Sequence, residues 1–135
     1  MFNRLFKTSA APSDGLTQAQ REAIVDLLNY CMFADNLVAL SESRFVAAKV
    51  AELNWDPKIS FDYYQGKSIG AARAALDEPD SKKGFFSSIN QRLATAELRQ
   101  RAVDLSQRLF MADGAKSDKE SAVQQEIRQA LHLAQ

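Results

Sequence analysis

Apolar residues recur along this chain at steps of three and four, which is the period of an α-helix and not of a strand. Ile24, Leu27, Leu28 and Cys31 mark one buried helical face. Ahead of them, Thr17-Gln18-Ala19-Gln20 has the form of a capping box, in which the Thr17 hydroxyl accepts from a free amide and Gln20 reaches back. The pattern predicts a helix from there to about Ala34-Asp35. A second runs from about Ser41 to Leu53, with Val46, Val50 and Leu53 inward. It stops at Asn54-Trp55-Asp56-Pro57, since proline disfavours a helical residue before it. Ser60 to Gln65 reads as a short helix closed by Gly66, and Lys67 to Leu76 as an alanine-rich helix ended by Asp77-Glu78-Pro79-Asp80. Ser81 to about Leu93 is a further helix, weakened by Gly84.

The clearest periodicity comes next. Leu98, Ala102, Leu105, Leu109 and Ala112 share one face, while Arg99, Arg101, Asp104 and Arg108 take the others, the pattern of an amphipathic helix on a core. The last helix starts at Ser117, with Glu120 three residues on as a capping partner, and buries Val123, Ile127, Ala130 and Leu131. No period-two stretch is long enough for a strand. The fold class is therefore all-α, a compact bundle of about six or seven helices.

The chain also repeats itself. A shift of 78 positions lays Ala23–Leu53 on Arg101–Leu131. Val25 then meets Val103, Asp26 meets Asp104, and Leu27 meets Leu105. Ala34-Asp35 meets Ala112-Asp113, and Glu42-Ser43 meets Glu120-Ser121. Asn36 meets Gly114, the two residue types that most readily take a left-handed conformation. This points to two pseudo-symmetric helix-loop-helix repeats.

Composition narrows the possibilities. At 135 residues the chain fits one domain, read as residues 16–135 behind a flexible N-terminal segment, 1–15. Hydrophobic residues at 46% and charged residues at 25% are ordinary for a globular protein. Lys plus Arg and Asp plus Glu each number 17, so the basic excess of a nucleic-acid binder is missing. No apolar run approaches the roughly 20 residues of a membrane span, and Met1 to Lys7 lacks the apolar stretch of a secretory signal. A cytoplasmic protein is expected.

Enzyme chemistry finds little to stand on. There is no phosphate loop, no Ser-His-Asp set and no Cys/His metal spacing. The single cysteine, Cys31, sits in the apolar run Tyr30-Cys31-Met32-Phe33 and reads as a small hydrophobe. The single histidine, His132, reads as packing or surface. Trp55, Phe61, Tyr63 and Tyr64 read as core and elbow packing, and Lys82-Lys83 beside Phe85-Phe86 as a solvated helix start.

The stretch Phe110-Met111-Ala112-Asp113-Gly114-Ala115-Lys116-Ser117-Asp118-Lys119-Glu120 resembles the Ala-Asp-Gly, loop, Glu signature of the tellurite-resistance protein B (TerB-like) family. A first copy, Phe33-Ala34-Asp35-Asn36-Leu37-Val38-Ala39-Leu40-Ser41-Glu42, departs from it in having Asn36 for Gly and an apolar loop. The likeness covers about Leu16 to Leu133. It implies a compact helical domain, a bacterial stress or phage-related setting, and an adaptor role beside other machinery, including a membrane-anchored co-chaperone. It implies no enzymatic activity. The function expected is a non-enzymatic interaction module with an unidentified protein partner and an open oligomeric state, presenting an apolar or aromatic groove between the repeats or around Trp55–Tyr64.

The resemblance also implies a divalent-cation site of acidic residues, and Asp35, Glu42, Asp113 and Glu120 are its candidates. Two accounts of them are open. In one they are caps: Asn36 and Gly114 follow a helix end, Ser117 and Glu120 start the next helix, and Asp113 accepts amides across the loop. Each cap contributes about 1 kcal/mol. In the other they gather a cation, which would offset the roughly 0.3–1 kcal/mol penalty of a carboxylate at a helix C-terminus. Asp113-Gly114 followed by Glu120 matches the second half of an EF-hand loop, but Leu109 and Met111 stand where that loop needs oxygen ligands. A site shared by both repeats, with Asp118, Asp26 or Asp104 assisting, would be lined by oxygen and favour calcium or magnesium over zinc.

Overall fold

The computed structural model describes residues 16–34, 55–111 and 118–133. These form five helices: α1 (Gln18–Ala34), α2 (Phe61–Asp77), α3 (Pro79–Arg92), α4 (Ala96–Met111) and α5 (Asp118–Ala130). No strand occurs among the described residues. The helix expected at Ser41–Leu53 and the segment 1–15 lie outside them, as do both Ala-Asp loops.

α1 opens on the capping box read from the sequence. The Gln20 amide donates to Thr17 Oγ1 at 3.2 Å, and the Thr17 amide donates to Gln20 Oε1 at 2.9 Å. Burial of α1 differs from the expectation of one inward face. Every residue from Ala23 to Met32 is buried, polar Asp26 and Asn29 included. A helix buried all round is a core helix with neighbours on each side. α2, α3 and α4 all pack on it, and Tyr30 of α1 reaches Glu126 of α5.

One helix replaces the two expected on either side of Gly66. Ser60 caps α2 by accepting from the Tyr63 amide at 3.2 Å, and the helix runs unbroken to Asp77. Gly66 closes nothing, because Ser68, Ala72 and Ala75 beyond it are buried in the core. That packing outweighs the roughly 1 kcal/mol a mid-helix glycine costs. Glu78 stands extended at φ −134° and ψ 129°, serving as both the C-cap of α2 and the N-cap of α3. Its conformation is the one proline imposes on its predecessor, and Pro79 opens α3 where no amide is required. Gly84 sits inside α3 with open space around it. Thr95 caps α4, accepting from the Leu98 amide at 3.1 Å.

The order of contacts fixes helix directions. Asp26, Asn29 and Phe33 meet Tyr64, Gln65 and Arg73 in turn, so α2 runs alongside α1 in the same sense. Asp26 meets Arg92 and Tyr30 meets Phe86, so α3 runs the opposite way. α5 returns against α4, with Gln124 on Ser106 and Arg128 on Gln100. Val123, Ile127 and Leu131 of this last segment are buried as its pattern predicts.

α5 ends in a Schellman turn. The Leu133 amide donates to the Arg128 carbonyl at 2.8 Å and the His132 amide to the Gln129 carbonyl at 3.1 Å. His132 holds the left-handed position at φ 59°, where glycine is the usual occupant. The histidine is thus an exposed backbone cap and Cys31 a buried core residue.

Candidate functional site

Among the described residues two features beyond the core have the makings of a site: an apolar trough between α3 and α5, and a buried polar clasp between α1, α2 and α3.

The trough has a volume of about 630 Å³ and is lined by Pro79, Lys82, Lys83, Phe86, Asn90 and Ala130 among others. Pro79, Lys82, Phe86 and Asn90 recur at helical steps, so one wall is a single face of α3, about 16 Å long at 1.5 Å per residue. Phe86 is the floor. Its ring meets Tyr30 edge-on at 5.0 Å and Phe85 edge-on at 5.4 Å, while Tyr30 stacks on Phe85 at 5.6 Å. Such contacts fix the rings as well as bury them.

Glu126 joins the walls. It accepts from the buried Tyr30 hydroxyl at 2.6 Å and from Lys82 Nζ at 2.8 Å. Burial, and then the Glu126 carboxylate, push the Tyr30 phenol well above its ordinary range. Further along, Asn90 Nδ2 donates to the Ala130 carbonyl at 2.8 Å, tying α3 to the end of α5. Its Oδ1 is buried with no hydrogen-bond partner among the described residues.

The clasp centres on Asp26, which is 6% exposed. Its carboxylate accepts from Arg92 Nη2 at 2.7 Å, the Tyr64 hydroxyl at 2.8 Å and Ser68 Oγ at 2.6 Å. Asn29 extends the network, donating to Gln65 Oε1 and to Ser68 Oγ, both at 2.9 Å. Burial opposes the charge on Arg92, but the hydrogen bond and charge of Asp26 outweigh it, leaving the guanidinium above its ordinary range. Burial and Asp26 likewise raise the Tyr64 phenol, with Arg92 pulling the other way. A shallow hollow of about 290 Å³ lies over the cluster. With its carboxylate held by three donors, Asp26 is a structural tie: a buried charge that is paired and hydrogen-bonded.

Of the residues read as cation ligands, Asp35, Glu42 and Asp113 lie outside the described residues. Glu120 falls on α5, but its side chain is outside them too. The assisting acids part company. Asp26 is committed to Arg92, whereas its counterpart Asp104 is exposed and accepts from Gln100 Nε2 at 3.0 Å. No group of three or more His, Cys, Asp or Glu able to hold a metal occurs among the described residues.

The aromatic cluster at the elbow is mostly packed, as expected. Trp55 meets Phe61 edge-on at 5.3 Å and donates to the Ile59 carbonyl, whereas Tyr63 is 74% exposed. Lys82-Lys83 with Phe85-Phe86 departs from its reading as a solvated helix start. Both phenylalanines are buried and Lys82 is paired, and this segment builds the trough. The signal was present in the sequence, since adjacent phenylalanines on a short helix need two packing surfaces. Among the described residues no helix is long and apolar enough to cross a membrane. Comparison with protein-family models, curated proteins and solved structures finds no match to this chain.

Proposed function

We propose that this chain is a non-enzymatic, TerB-like interaction module of a bacterial stress-response system, whose partner protein seats in the trough between α3 and α5. In this reading two pseudo-symmetric repeats build a bundle of six or seven helices, with the trough as the working surface. One observation supports it above the others: an apolar trough that none of the described residues fills, on a domain whose remaining large apolar side chains are, among the described residues, almost all packed. An apolar hollow rimmed by polar side chains is a form that interaction sites take. The carboxylates at the centres of the described polar clusters are each bound to a cation and a hydroxyl, which supports a structural role for these two groups.

The test is site-specific photo-crosslinking in a bacterial host under oxyanion or oxidative stress. A photoreactive residue at Ser87 or Gln91, both exposed on the trough wall, is compared with one at Gln107 on α4. A discrete adduct formed from the trough positions and not from Gln107 is expected. Equal labelling from all three positions would remove the trough as the partner site.

A further inference from the structure

We infer that the occupant of the trough is a single amphipathic helix with acidic residues flanking its apolar face, an inference that rests on reading the trough as the partner site. Shape is the first argument. Lys82 meets Glu126 and Asn90 meets Ala130, so the two walls are helices running the same way, with Phe86 and Ala130 between them. A third helix is the body that fits between two such ridges, and the α3 wall is long enough for about three of its turns.

Other modes of peptide capture lack their parts. Strand addition needs a sheet edge, and the described residues contain no strand. A polyproline segment needs a row of aromatic rings, and among the described residues Phe86 is the one aromatic side chain lining the trough. Phosphopeptide capture needs clustered arginines, and among the described residues none lines it.

Charge then fixes the flank. Lys82 and Lys83 line the trough, and the one lining carboxylate among the described residues, Glu126, is already engaged by Tyr30 and Lys82. Lys83 is exposed and forms no ion pair among the described residues. Glu78 and Asp80 stand at the same end of α3 but do not line the trough. An occupant carrying Glu or Asp beside its apolar face meets Lys83 favourably, and one carrying Lys there meets like charge.

Fluorescence anisotropy with the full chain tests this, using two designed helical peptides of equal length. Both carry leucine along one face, one with glutamates and the other with lysines at the flanking positions. The Glu-flanked peptide is expected to bind about tenfold or more tightly than the other at low salt, with the preference shrinking as salt rises. Lys83→Glu is expected to cancel or reverse the preference. Ser87→Trp, at an exposed lining position that leaves the core untouched, should abolish binding. Equal binding of both peptides, blocked by Ser87→Trp, would overturn the acidic-helix inference and leave the trough as a site. Binding of dodecanoate, read as a rise in melting temperature that Ser87→Trp removes, with no peptide binding would replace the helix by an acyl chain. No binding of peptide or dodecanoate would overturn both this inference and the reading it rests on.

Discussion

Asp26→Asn takes one charge from a carboxylate that three donors share, while keeping side-chain volume almost constant. Arg92, at 2.7 Å, is left with an uncompensated guanidinium whose side chain is only 22% exposed. Asparagine can still accept from Ser68 and Tyr64 through one oxygen, but its amide nitrogen now faces a cation. Removing one partner of a buried ion pair costs about 3–5 kcal/mol, and the acceptor that survives brings the expectation to about 2–4 kcal/mol. A domain of this size has roughly 5–15 kcal/mol in total, so the loss is a large share. Urea unfolding followed by helical circular dichroism measures it. Arg92→Met strands the opposite charge, and the double variant Asp26→Asn/Arg92→Met is expected to cost less than the sum of the two, by about 1–3 kcal/mol. Asp104→Asn, the corresponding exposed position, should stay within about 0.5 kcal/mol of wild type. A loss under about 0.5 kcal/mol for Asp26→Asn, or strict additivity in the cycle, would refute the clasp as the tie between α1, α2 and α3.

Three further outcomes are expected. Gly66→Ala, Gly70→Ala and Gly84→Ala each meet open space within a helix, so each should stabilise by about 0.5–1 kcal/mol in the same unfolding assay; a loss at any of them would show a close neighbour there. Tyr30 and Tyr64 are raised above the ordinary tyrosine range, so the unfolded chain releases these protons first; their contribution is complete below about pH 10 and falls above it. The decline is about 1.4 kcal/mol per pH unit for each tyrosine, and phenolate absorbance should rise together with loss of helix; a variant with phenylalanine at both positions that keeps the same alkaline limb would contradict this. For the acids of the two Ala-Asp loops, calcium and magnesium should leave the melting temperature unchanged, with Asp35→Asn/Asp113→Asn merely less stable. A metal-dependent rise lost in that variant would establish a cation site, since a ligand at a hundredfold excess over its Kd adds about 2.7 kcal/mol.

Local signals mark helix ends well and the surroundings of each helix poorly. The capping box at Thr17, the proline at position 79 and the inward positions of α5 are short-range devices, set by residues within one turn of each other. Gly66 misled because a glycine stops a helix only where nothing beyond it is worth burying, and Ser68, Ala72 and Ala75 are buried. α1 shows the same limit from the other side. Its apolar run from Ala23 to Phe33 is interrupted only by Asp26, Asn29 and Tyr30, which signals burial all round, yet the partners Tyr64, Ser68 and Arg92 lie 38, 42 and 66 residues away. Pairing of Asp26 with Asp104 by the repeat suggested equal roles, but a one-dimensional match carries no information on burial. The trough has no local signature, because its walls come from segments some 40 residues apart.

The central claim is that the trough between α3 and α5 is the surface through which this domain acts. Filling it is the most direct test: Ser87→Trp in the chain carrying the photoreactive residue at Gln91, with adduct yield measured beside the melting temperature. The account predicts at least about a tenfold loss of adduct with thermal unfolding unchanged, as expected for a blocked site on an intact fold. Undiminished adduct from a folded Ser87→Trp chain would contradict it and move the search to another face.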